Sequence, residues 1–99
     1  MNNPLVTIVI PCHNYARFVT DAIRSVQAQT LNNFECFVVN DASDDNSEEV
    51  ILEAIMDDTR FHYEHVFLRS LSATRNYGIA QGSAPFLCCL DADDTMGSE

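Results

Sequence analysis

The sequence predicts an α/β fold: a mainly parallel sheet of about four strands, with helices on both faces in a three-layer sandwich. Three observations carry this reading. Four short runs of strand-forming residues are spread over the 99 residues. Segments with helical spacing separate them, so the order is βαβαβαβ, and that alternation joins parallel strands through right-handed crossovers. The last run, Phe86–Leu90 (FLCCL), is five apolar residues without a break, the pattern of a strand buried on both faces of a parallel sheet.

Val6–Ile10 (VTIVI) is β-branched and reads as a central strand. Pro11 is expected to stop it, because proline donates nothing to a ladder. Cys12–Tyr15 forms a turn in which Asn14 is the expected helix cap. From Ala16, the residues Phe18, Val19, Ala22, Ile23 and Val26 follow helical spacing, and the pattern fades over Gln27–Thr30. Phe34–Val39 is the second strand, ending at Asn40 and Asp41. A helix is expected from about Asn46, with Glu48 and Glu49 in its first turn and Val50, Ile51, Ala54 and Ile55 inward. Phe61–Val66 alternates weakly as a third strand. Leu71–Gln81 predicts a third helix with Ala73, Tyr77 and Ala80 inward, weakened by Gly78 and ended by Gly82.

Composition narrows the function. The chain is 46% hydrophobic and 20% charged, with a net charge of −10, and its five basic residues, Arg17, Arg24, Arg60, Arg69 and Arg75, are all arginine. That suits a globular domain of one core. It argues against a nucleic-acid or anionic-membrane surface, both of which need clustered positive charge. Cys12, Cys36, Cys88 and Cys89 form no CxxC and read as reduced thiols in a cytoplasmic protein. Met1–Leu5 has no signal-peptide character, and no apolar segment is long enough to span a bilayer. His62 and His65 fall on opposite faces of a strand, which argues against a metal pair.

The chemistry concentrates after the last strand, where Asp91, Asp93 and Asp94 follow Leu90. Ligands in open α/β sheets bind at the carboxyl ends of the strands, beside the point where the strand order reverses. The turn after Pro11, Asp41 and the Asp91–Asp94 cluster would line that crevice. Two carboxylates about 4 Å apart repel by roughly 4 kcal/mol at an effective dielectric of about 20. A cation relieves that repulsion, and all-oxygen ligands favour Mg²⁺, Mn²⁺ or Ca²⁺. A solvated acidic loop would read the same way. Asp41 either caps the polar turn Ala42–Ser47 or accepts a bond from a ring N–H. Arg75 either pairs with a surface acid or grips a pyrophosphate with its planar fork. Cys12 and His13 lack the third group a cysteine nucleophile needs. Asp41–Leu52 fails as a calcium loop, having Asn46 at the glycine position and Leu52 at the glutamate position.

Three separated segments, VTIVIPCHNYARFVTDAIRSVQAQ, FECFVVNDASDDNS and LSATRNYGIAQGSAPFLCCLDADD, resemble the family 2 glycosyltransferases of the GT-A fold. The resemblance covers about Leu5 to Asp94. It implies a Rossmann-like nucleotide-sugar-binding part spanning residues 1–99, truncated before the acceptor half that supplies the catalytic base. It also implies Mg²⁺ or Mn²⁺ as cofactor and a nucleotide-sugar donor, most often a UDP-sugar. Carried over residue by residue, Pro11, Cys12, His13 and Asn14 cradle the base and Asp41 bonds its ring. Arg75 lies near the base or diphosphate. Asp91 faces the ribose, and Asp93, with Asp91, holds the metal in the DxD motif. Ala42 and Ser70 stand where the family often has glycine.

Two other readings compete. Asp91–Thr95 fits the DxDx[TV] pattern of haloacid dehalogenase-type phosphatases, with Asp91 as nucleophile, but here the motif closes the chain and no lysine is present. The 99 residues could also act as a non-catalytic fragment, one that forms a homo-oligomer through apolar surface near Phe86–Leu90.

Overall fold

The computed structural model describes residues 4–29 and 33–92. Its elements are β1 (Val6–Cys12), α1 (Ala16–Gln27), β2 (Phe34–Asp41), α2 (Ser47–Ile55), β3 (Phe61–Val66), α3 (Leu71–Gln81) and β4 (Phe86–Cys89). The four strands form one parallel sheet in the order β3-β2-β1-β4. The chain steps from β1 to β2 to β3, then returns to the far side of β1, which makes β1 the switch point.

Alternation along the strands sorts the core into two layers. Ile8, Ile10 and Cys12 of β1 and Cys36 and Val38 of β2 pack with Val19, Ala22, Ile23 and Val26 of α1 and Ile51 and Ile55 of α2. Val9, Phe37, Val39 and Val66 face the other way, toward α3, with Tyr77 against them. The sandwich is thus α1 and α2, the sheet, then α3.

Several expectations are corrected. Pro11 lies within β1, paired in register with Val39. The ladder from β1 to β4 ends with Leu90 N–H donating to Val9 O at 2.9 Å. Residue 11 points to that same side, where no ladder partner follows, so proline leaves no bond broken there. Asn14 does not cap α1; it sits at φ 58°, and Tyr15 takes the cap position. The buried face of α3 is Thr74 and Gly78, while Ala80 is exposed. Gly78 is the point of closest approach: a Cβ there would come within 2.4 Å of Val9 Cγ1 and 3.3 Å of Val39 Cγ2. Finally, β4 is not buried on both faces. Phe86 is 61% and Leu87 50% exposed.

Candidate functional site

The carboxyl ends of β1, β2 and β4 and the amino end of α3 enclose a crevice of about 390 Å³, within the usual range for a small-ligand site. Pro11, Cys12 and His13 leave β1 into it, Asp41 ends β2, and Asp91 and Ala92 follow β4. Tyr15, Arg69, Ser70, Leu71 and Thr74 complete the walls.

Asp41 is the hub. Its Oδ1 accepts from the Leu68 and Arg69 amides at 2.8 and 3.0 Å. Its Oδ2 accepts from the Ser70 amide at 3.2 Å and the Thr74 hydroxyl at 2.6 Å. Those amides precede α3, so the charge also meets the positive end of that helix. Burial acts to raise the Asp41 pKa, but the Thr74 hydroxyl and the Arg69, Leu68 and Ser70 amides outweigh it and hold the carboxyl below its usual range.

Each strand-to-helix loop carries one residue in the left-handed region: Asn14 at φ 58°, Ala42 at φ 52° and Arg69 at φ 53°. Such residues persist where surrounding bonds over-determine them, and the bonds are present. Asn14 N–H donates to Ser43 Oγ at 3.0 Å, and Asn14 Oδ1 accepts from the Asp44 amide at 2.6 Å. The Ala42 amide donates to Val66 O at 2.9 Å. Arg69 is held by Asp41. His13 Nδ1 lies 2.6 Å from Asp41 O, and because a carbonyl only accepts, Nδ1 carries the proton. Asp45 accepts from the Ala16 amide at the start of α1 and from the Ser47 amide and hydroxyl at the start of α2. The loops after β1 and β2 are therefore latched together.

Cys12 and His13 do not form a nucleophile–base pair. The His13 ring is committed to Asp41 O, and the Cys12 thiol lies against Ser47 Oγ at 3.8 Å. Burial pushes that thiol up, against the smaller lowering effect of Ser47, so it stays protonated at neutral pH.

At the other end of the crevice, Arg75 Nη2 pairs with Asp91 Oδ1 at 2.9 Å. Arg75 Nε is buried without a partner among the described residues. Asp93 lies outside the described residues. Among the described residues no three His, Cys, Asp or Glu side chains cluster as a metal site. Asp91 is still a fitting first ligand for a hard cation: a carboxylate at the crevice, one oxygen tied to Arg75 and the other without a hydrogen bond among the described residues.

Of the residues singled out from sequence, Pro11, Cys12, His13, Asp41 and Asp91 meet in one crevice. Asn14 and Arg75 are not wall residues but tie into it through the loop latch and through Asp91. Sequence reasoning missed Tyr15, Arg69, Ser70, Leu71 and Thr74 as wall residues. Arg69 had a usable signal, as the basic residue just past the third strand, at the same sheet edge as Asp41. Thr74 had a weaker one: a hydroxyl at the spacing of a buried helix face.

A profile described as glycosyl transferase family 2 matches residues 7–99. The uncharacterized glycosyltransferase EpsJ of Bacillus subtilis is 34% identical over 95 residues, covering 96% of this chain and 28% of its own length. Among solved structures, the mannosyltransferase PcManGT from Pyrobaculum calidifontis, in complex with GDP-Man and Mn²⁺, superposes with a TM-score of 0.87 at 17% identity. That match covers 99% of this chain and 30% of the other. S. aureus TarS 1-349 in complex with UDP-GlcNAc gives a TM-score of 0.83 at 22% identity, over 92% of this chain and 27% of the other. At these identities the structures speak to the fold. The chain spans under a third of the length of each of these proteins.

Proposed function

The chain belongs to glycosyl transferase family 2, and on that premise we propose that its crevice binds the nucleotide diphosphate of a nucleotide-sugar donor, for transfer of the sugar to an acceptor hydroxyl. The observation that carries this reading is convergence. Pro11–His13, Asp41 and Asp91 come from three strand ends and line one crevice. In the proposal the base lies against the Pro11–His13 backbone and offers a ring N–H to Asp41, and Asp91 takes the ribose hydroxyls. Asp93 and Asp91 would hold Mg²⁺ or Mn²⁺. When bound, the ion offsets the negative charge that grows on the leaving diphosphate. None of the crevice residues is assigned the base that deprotonates the acceptor.

The pairing of Arg75 with Asp91 refines one role. Arg75 acts by fixing the orientation of Asp91 rather than by gripping the diphosphate. Calorimetry of UDP, GDP and dTDP against the chain, with and without Mn²⁺, tests the proposal. One diphosphate should bind, more tightly with the ion. Asp93→Ala should remove the ion's effect, while Glu53→Ala on the exposed face of α2 should leave it intact. Equal loss in both, or no binding by any of the three, would reject the assignment.

A further inference from the structure

We propose that Thr74 is a positioning residue for base recognition, acting through Asp41. This deepens the reading above and rests on it. The Thr74 side chain is 1% exposed, and its hydroxyl reaches two acceptors, Asp41 Oδ2 at 2.6 Å and Ser70 O at 2.7 Å. A hydroxyl has one hydrogen to give, and the ionised carboxylate is the stronger acceptor. The hydrogen therefore goes to Asp41.

The consequence is a carboxylate fixed on every side. A carboxylate offers about four acceptor positions, and three amides and one hydroxyl fill them. The amides belong to the chain wherever the backbone runs. The hydroxyl is the one donor of the four that a side-chain substitution can remove. It sits on Oδ2 together with the longest of the four bonds, Ser70 N–H at 3.2 Å. A ring N–H entering the crevice would displace that weak amide most readily. The short Thr74 bond meanwhile keeps Oδ2 ionised and in place. Thr74 thus makes Asp41 an acceptor for a base bearing a ring N–H. Uracil, thymine and guanine carry one; cytosine, with a bare N3, does not.

The test compares Thr74→Val, which keeps the shape and removes the hydroxyl, with Thr74→Ser, which keeps the hydroxyl. The probes are the diphosphate that binds best among UDP, GDP and dTDP, and CDP as the control. Thr74→Val should bind the first about tenfold more weakly, the loss expected for one bond to a charged group. CDP binding should be unchanged, and Thr74→Ser should match wild type. On acidification, binding by Thr74→Val should fail at a higher pH than wild type, because the Asp41 carboxyl loses a bond that favours its charged form. Equal weakening toward both probes, or a Thr74→Ser as weak as Thr74→Val, would make the residue a packing element and overturn the inference. Wild type binding none of the diphosphates would instead remove the premise. In that case NMR titration of the Leu68, Arg69 and Ser70 amides, which report the Asp41 carboxyl, compares wild type with Thr74→Val, or with Thr74→Ala if Thr74→Val does not fold. Their acidic midpoint should move to higher pH when the hydroxyl is lost and stay in place in Thr74→Ser; a midpoint unmoved by that loss refutes the Thr74–Asp41 link.

Discussion

Single residues set the shape of the crevice, and two of them make direct tests. Arg69 holds φ 53° with an exposed side chain. A left-handed conformation costs a non-glycine residue about 1–2 kcal/mol. Arg69→Gly is therefore expected to raise unfolding free energy by about 1 kcal/mol, read as a higher denaturant midpoint. Asp45 closes the amino ends of both α1 and α2. From sequence it reads as one acid in a solvated loop, of little consequence for nucleotide binding. With the structure in hand, Asp45→Ala is expected to cost about 1–2 kcal/mol, the loss of shared helix capping. A chemical denaturation curve unchanged from wild type would contradict this. The difference between the two readings has a plain physical source. Residue type and strand-end position are visible in a sequence, so Asp41 and Asp91 were found. Partners are not: the donors to Asp41 lie 27–33 residues away. The glycine preference at position 42 was legible as a family departure, and φ 52° at Ala42 is its physical content.

Helices and strands follow their periodicity where one face is buried, and depart from it where close approach decides. The α1 stripe is legible because Val19, Ala22, Ile23 and Val26 all pack inward in one core with the sheet. The α3 stripe is not, because its inward face uses Gly78 rather than a large apolar residue. Gly78→Ala should improve intrinsic helix propensity by about 1 kcal/mol. Yet its new Cβ would stand 2.4 Å from Val9 Cγ1, and overpacking of that kind costs about 1–3 kcal/mol. The net expectation is a less stable chain, with a lower thermal midpoint. At the opposite edge of the sheet, Glu35 accepts from the Thr7 hydroxyl and the Ser83 amide. Those bonds fix the connection between α3 and β4, and hence the register that brings Asp91 to the crevice.

Taken as a whole, the molecule is expected to lose stability in acid, and among the described residues its sheet is open at β4. Burial acts to raise the pKa values of Glu35, Asp41 and Asp45, yet hydrogen bonds hold all three below their usual range; the Arg60 guanidinium lowers Asp58 directly. Carboxyls with depressed folded pKa values contribute stability at neutral pH that disappears as pH falls through those values. The thermal midpoint should thus be flat from neutrality to about pH 5 and drop below about pH 4. A midpoint that rises on acidification would contradict the bonding described. Among the described residues the outer edge of β4 has no partner strand, and Phe86 and Leu87 are exposed beside it, the kind of surface on which chains pair. Concentrated protein is expected to sediment partly as dimers or larger species, and Leu87→Lys to shift it toward monomer. A clean monomer at high concentration would count against this. No helix among the described residues is long and apolar enough to cross a membrane. The parallel sheet, the central place of β1 and the switch point beside it were legible because alternation and crossover handedness leave few topologies. The exposure of β4 stayed open between two readings, burial on both faces and an associating surface, because an apolar run looks the same whether or not a neighbour covers it. Pro11 shows how such a sheet acquires a hollow. On one flank the middle strand stays paired as far as Cys12 and Asn40; on the other, pairing ceases after Val9. Proline sits at that parting without penalty, since it has no hydrogen to leave unsatisfied on the open flank, and the furrow has no need of a bulky side chain to prop it apart.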